Sequence, residues 1–240
     1  MLNEGSPDAA CAAVVCHPHP LGGGSLHNKV VYHAMKAMNA PGLQPTDEDP
    51  SGGTPGLEWP VLRFNFRGTG RSEGEHDGAG EAGDVLAALS WLENEYKLPL
   101  VAAGFSFGAA MVLAACCGSG SIPCPKSQTW GTQSLSGAPQ NLRAVAALGL
   151  PVRSGIEAPR YDYGYLAHCR IPKLFLSGDN DRFAKKSELI EIVAAAAEPK
   201  RVALVPGADH FFTGQLEFMQ SYLSGWLKEQ VYDPGQRPSV

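Results

Sequence analysis

Short, mostly apolar runs recur along the chain at positions 12–16, 61–64, 100–104, 144–150, 174–176 and 202–205, each bounded by turn-forming residues and only the second broken by a charge, at Arg63. Runs of this length that do not alternate with polar residues belong to strands covered on both faces. Between most of them, apolar positions return at helical spacing, over 27–38, 80–96, 107–117, 185–197 and 212–231. In the second of these, Val85, Ala88, Leu89 and Leu92 fall on one side of a helix and predict a core-facing stripe. Strand and helix alternate, so the pattern predicts an α/β fold: a three-layer α/β/α sandwich around a mostly parallel sheet of about six strands.

Two stretches interrupt the rhythm. Residues 39–60 and 118–141 are rich in Gly, Pro, Ser, Thr and acidic side chains and poor in large apolar ones, which reads as surface loop insertions. Each follows a helix and precedes a strand, so both belong at the amino-terminal edge of the sheet. Ligands of open α/β sheets bind at the opposite, carboxyl edge, which sets these insertions apart from any chemistry.

The chain of 240 residues is long enough for one α/β domain spanning 1–240, and 44% hydrophobic content suits a buried core. A formal net charge of -5 without any Lys/Arg block argues against a nucleic-acid partner and against an anionic membrane surface. No apolar run is long enough to cross a bilayer, and the first ten residues lack the positive flank of a leader, so the expectation is a soluble, cytoplasmic protein. Cys11, Cys16, Cys116, Cys117, Cys124 and Cys169 show no C-x-x-C spacing and are expected to be reduced structural thiols.

The chemistry concentrates in residues 101–110. An apolar strand ends on Ser106, with Gly104 and Gly108 two residues to either side, and a helix of small residues follows. A G-x-S-x-G string at a strand-to-helix turn lifts the serine hydroxyl above the sheet and leaves the first helical amides free to meet negative charge. Such a hydroxyl needs a base, and His210 lies just past the apolar run 202–205, on the same edge. A carboxylate must then fix the imidazole tautomer. Asp179 and Asp181 both follow the run 174–176; Asp181 is preferred, because Asp179 stands nearer the strand end, where an aspartate shapes the turn. Asp209 is read as a turn or cap residue. The order Ser106, Asp181, His210 matches one convergent triad class and not the others.

Attack on a carbonyl builds an oxyanion, which requires two donors already in place. One is the Phe107 amide. The other is expected in the loop 17–24, where glycines allow close backbone approach, with Leu21 the first choice and Gly22 the second. His17 and His19 lack the carboxylate or cysteine partners of a metal site and are read as packing behind the reacting groups; no metal or other cofactor is expected. Residues 63–72 look superficially like an anion nest, but no lysine completes a phosphate loop, so Asn65 and Arg67 are assigned to holding loops together.

With these residues placed, the chain from Cys11 onward resembles the α/β-hydrolase superfamily. His17-Pro18-His19-Pro20 followed by Gly22-Gly23-Gly24 and His27-Asn28-Lys29, and then Arg67-Gly68-Thr69-Gly70-Arg71-Ser72, is similar to the small, lidless serine hydrolases and esterases of bacterial type. The resemblance implies a reduced form of the usual eight-stranded fold, beginning almost at the strand before the oxyanion loop, with a sheet edge that a second copy can cap as a homodimer. It also marks 151–170 as a short cap-like region, in which Tyr161, Tyr163, Tyr165 and His168 would border the acyl or leaving-group pocket. The implied activity is hydrolysis of small or moderately sized carboxylic esters through an acyl-enzyme. Its rivals are a lactone or dienelactone hydrolase, a small peptidase, and a nonenzymatic interaction protein.

Overall fold

A computed structural model describes residues 1–41, 57–118, 139–153 and 161–232. Seven strands, β1 (Leu2–Asn3), β2 (Ala12–Cys16), β3 (Val61–Arg63), β4 (Leu100–Phe105), β5 (Leu142–Leu148), β6 (Lys173–Gly178) and β7 (Lys200–Val205), form one sheet in the order β1-β3-β2-β4-β5-β6-β7. All neighbours run parallel except β1 and β3. The sequence pattern predicts about six strands; the additional one, β1, has only two residues and pairs Leu2 with Leu62 and Asn3 with Val61. A strand this short carries no hydrophobic period and is held through its backbone.

The unbroken apolar runs have a direct cause. In β2, Ala13 and Val15 face one core, while Ala12, Val14 and Cys16 face the other. In β4, Val101, Ala103 and Phe105 point to the first core, and Leu100 and Ala102 to the second. Each large apolar side chain so buried contributes about 1.5–3 kcal/mol, so neither face tolerates polar alternation. The first core is closed by α1 (Lys29–Asn39) and α5 (Leu216–Tyr232), the latter through Met219, Leu223, Trp226 and Leu227 at helical spacing. The second is closed by α2 (Glu81–Tyr96), α3 (Phe107–Cys117) and α4 (Lys186–Ala195). The result is the three-layer sandwich. Among the described residues, no helix is long and apolar enough to cross a membrane.

The cysteines depart from expectation. Cys117, at the end of α3, and Cys169, ahead of β6, are joined by a disulfide with their Cα atoms 5.1 Å apart. Their separation of 52 residues hid a convergence that only the packing of α3 against the 164–168 turn creates. Cys11, Cys16 and Cys116 are buried free thiols, and burial pushes the thiol of Cys116 up to about 12. Most of the expected insertions at 39–60 and 118–141, the thiol of Cys124, and 154–160 of the cap-like region lie outside the described residues.

Candidate active site

β4 delivers Ser106 on a turn so tight that its backbone sits at φ 55°, ψ -121°. A non-glycine residue in such a conformation stores about 1–3 kcal/mol, which persists only where the surroundings enforce it. Here they do. The Ser106 amide donates to the Leu148 carbonyl of β5 at 2.8 Å, and the Ser106 carbonyl accepts from Ala109 and Ala110 in α3. Gly104 and Gly108 are required by close approach: a side chain on Gly104 would strike the backbone of Gly108, and one on Gly108 would strike the carbonyls of Cys16 and His17.

His210 follows β7 and meets this hydroxyl. Ser106 Oγ donates to His210 Nε2 at 2.9 Å, and His210 Nδ1 donates to Asp181 Oδ2 at 2.7 Å. Asp181, just past β6, is fixed from both of its oxygens. Oδ2 also accepts from Ser177 Oγ at 3.2 Å, while Oδ1 accepts the amides of Phe183 at 2.7 Å and Ala184 at 3.3 Å. The His210 side chain is only 5% exposed and that of Asp181 0%, so solvent does not compete for their bond. Gly149, at φ 54°, lies beneath the ring; a Cβ there would come within 3.3 Å of His210 and 3.0 Å of Phe105.

Asp179 takes the turn role the sequence reading gave it, accepting the Gly207 amide at 2.7 Å and so tying the His210 loop to the end of β6. Asp209 accepts from the amides of Phe211 and Thr213 and from the Thr213 hydroxyl, and these donors hold its carboxyl below the usual range. It caps the turn and does not join the triad.

The loop after β2 is built on His17, which is fully buried. Its Nδ1 donates to the Pro18 carbonyl at 2.7 Å, and its Nε2 accepts the Phe66 amide at 3.0 Å. Burial pushes its pKa down, which keeps the ring neutral and able to accept. His19 packs against Phe107, with ring centres 5.0 Å apart. The amides of Gly22 and Gly24 donate to the His19 carbonyl and that of Gly23 to Pro20. The N–H of Gly22, the second choice for an oxyanion donor, is directed to the His19 carbonyl at 3.1 Å beside the 3-10 turn Pro20–Gly22. The Leu21 side chain faces solvent. Opposite, Asn65 Oδ1 accepts the Leu26 amide, and Arg67 makes a forked pair with Asp84 of α2, its Nη2 2.7 Å from Oδ1. Both residues hold loops, as their position suggested. Among the described residues no group of three His, Cys, Asp or Glu is placed to hold a metal ion.

Of the four expected pocket residues, Tyr161, Tyr163 and Tyr165 stand together, with ring centres 5.9 Å apart for the first two and 6.3 Å for the last two. Tyr163 is buried and donates its hydroxyl to the Pro151 carbonyl at 2.6 Å. Tyr161 and Tyr165 are half-buried beside it in the α2/α3 core, and His168 is exposed. Two aromatic residues that the sequence reading passed over flank the catalytic ring instead. Phe183 lies 4.5 Å and Phe211 5.2 Å from the His210 ring centre, and they are 43% and 49% exposed. Their only sequence signal is adjacency to Asp181 and His210. Also unforeseen is a second carboxylate–imidazole pair, Glu81 with His76, whose imidazole packs against Phe107.

No family model matches the chain. The uncharacterized protein RP471 of Rickettsia prowazekii is 31% identical over 230 residues, covering 92% of this chain and 80% of that protein. An α/β serine hydrolase homologue from Coxiella burnetii superposes with a TM-score of 0.69 at 27% identity, covering 95% of this chain and 90% of the other. The chain belongs to the family of RP471 and is an α/β serine hydrolase. XC6422 from Xanthomonas campestris, described as a serine hydrolase without lid, shares the fold with a TM-score of 0.67 at 23% identity over 100% of this chain and 89% of its own. In the hydrolase, hydroxyl, imidazole and carboxylate form one continuous hydrogen-bonded line at the carboxyl edge of the sheet, the arrangement for ester hydrolysis through a Ser-His-Asp triad.

Proposed function

We propose that the hydrolase cleaves small or moderately sized carboxylic esters, with the Phe107 and Leu21 amides as its oxyanion donors. In this reading His210 Nε2 takes the proton of Ser106 as Oγ attacks the carbonyl carbon. Asp181 meanwhile holds Nδ1–H in place and stabilises the imidazolium. The oxyanion is met by the first amide of α3, at Phe107. Leu21 supplies the second donor, since the amides at 22, 23 and 24 are committed to loop carbonyls. Protonated His210 then passes its proton to the leaving alcohol, and water, deprotonated by the same nitrogen, releases the acid.

Because the departing oxygen must lie at Nε2, the exposed rings of Phe183 and Phe211 belong to the alcohol side of the substrate. This favours esters of apolar alcohols or phenols there. The half-buried Tyr161 and Tyr165 are retained as the border of the acyl side.

The observation that carries the reading is the pair of bonds linking Ser106, His210 and Asp181. The test is turnover of p-nitrophenyl esters of increasing acyl length by the parent and by Ser106→Ala, with fluorophosphonate labelling of both. Parental turnover by the alanine variant would sink it; loss of both turnover and labelling is the expected result.

A further inference from the structure

Glu81 is the first residue of α2 and is fully buried. Its Oε1 accepts from His76 Nδ1 at 2.5 Å and from the Asp77 amide at 3.2 Å, while Oε2 has no hydrogen-bond partner among the described residues. A buried carboxylate left half-satisfied is costly, and the amino end of a 16-residue helix offsets only part of that cost. The triad does not use it. What it does is fix one ring. The His76 ring centre lies 4.7 Å from that of His19 and 5.3 Å from that of Phe107, near edge-to-face in both cases, and His19 and Phe107 themselves lie 5.0 Å apart.

These three rings form a closed triangle with one corner on each of three chain segments. His19 belongs to the loop that carries Leu21, Phe107 is the residue beside the nucleophile, and His76 is the corner tethered to a buried charge-bearing group. We propose that the Glu81–His76 pair is a positioning device for the oxyanion hole: by anchoring the third ring it sets the spacing between the 17–24 loop and the start of α3, and hence between the two amides that meet the oxyanion. The inference rests on the serine-hydrolase reading and adds two residues that act through others.

Such a device stabilises the transition state and leaves ground-state binding alone. His76→Ala should therefore lower kcat by about 10–100-fold with KM within about twofold, the size of a misplaced oxyanion donor. It should weaken a trifluoromethyl ketone, whose hemiketal places an oxyanion in the same hole, by a similar factor. Glu81→Gln keeps an acceptor for Nδ1–H and should hold kcat within about threefold of the parent, whereas His76→Asn keeps the bond but loses the ring and should behave as alanine does. All variants are compared by melting temperature in the full chain.

A His76→Ala protein that melts lower but keeps parental kcat and ketone affinity would overturn the proposal, because the triangle would then be packing alone. So would a raised KM at unchanged kcat, which would make His76 a substrate contact. If Glu81→Gln does not fold, the two His76 variants still decide. Ser106→Ala separates the two readings: turnover surviving in it removes the nucleophile assignment, whereas a dead Ser106→Ala beside a parental His76→Ala removes only the brace.

Discussion

The molecule contains two carboxylate–imidazole pairs of similar geometry on either side of the elbow. Asp181 and His210 meet at 2.7 Å, Glu81 and His76 at 2.5 Å, and both carboxylates are buried. They differ in what surrounds them. Both oxygens of Asp181 accept hydrogen bonds, and the far nitrogen of His210 faces a hydroxyl held in a strained turn. Glu81 satisfies one oxygen, and the ring it holds faces two other rings. A carboxylate–imidazole pair thus becomes a base only where the backbone supplies a nucleophile; elsewhere the same chemistry serves as an anchor.

Substitutions can break this contrast at graded depths. Ser106→Ala removes the one group that separates the pairs and should cost about 10⁵–10⁶-fold in kcat with an unchanged circular dichroism spectrum. Asp181→Asn should cost about 10⁴-fold through the wrong tautomer, far more than the amide swap at Glu81; equal losses at the two sites would erase the distinction. Gly149→Ala presses only on the His210 side. The new methyl meets Phe105 and the imidazole in a left-handed backbone, so kcat should fall about tenfold and the melting temperature with it.

The smallest effect is expected behind the oxyanion loop. Burial sets the folded-state pKa of His17 below its ordinary 6.5, so the unfolded chain binds that proton first. The stability contributed by the neutral ring is whole above the ordinary value and is lost as pH falls toward the depressed one. Glutamine at this position can accept the Phe66 amide without titrating. His17→Gln should therefore shrink the fall in melting temperature between pH 7 and pH 5.5 by roughly 2–4 °C, and an undiminished fall would show that His17 is not the group responsible.

The triad was legible in the sequence because each member lies within a few residues past the carboxyl end of an apolar run, so strand direction alone carries all three to one edge. Gly104 and Gly108 announced the turn for the same reason. The brace was not legible: His76 and Glu81 lie in a glycine-rich loop and at a helix start, where no periodicity ties one residue to another. Phe183 and Phe211 look like core aromatics until their exposure is known. The Cys117–Cys169 link depends on two elements meeting in the second core, and Lys173, which opens β6 in full burial with Nζ donating to three carbonyls, departs from the rule that fully buried positions are apolar. The fold class followed from local pattern; these features arise from tertiary contact.

The two neighbours of the nucleophile are rooted on opposite sides of the sheet, Phe105 among the side chains under α1 and α5 and Phe107 among those under α2 and α3. The serine therefore hangs like the deck of a bridge between two separate foundations, and its unusual backbone angle lasts only while neither foundation settles. On slow warming, catalytic output should fade before the bulk structure melts, whichever side softens first.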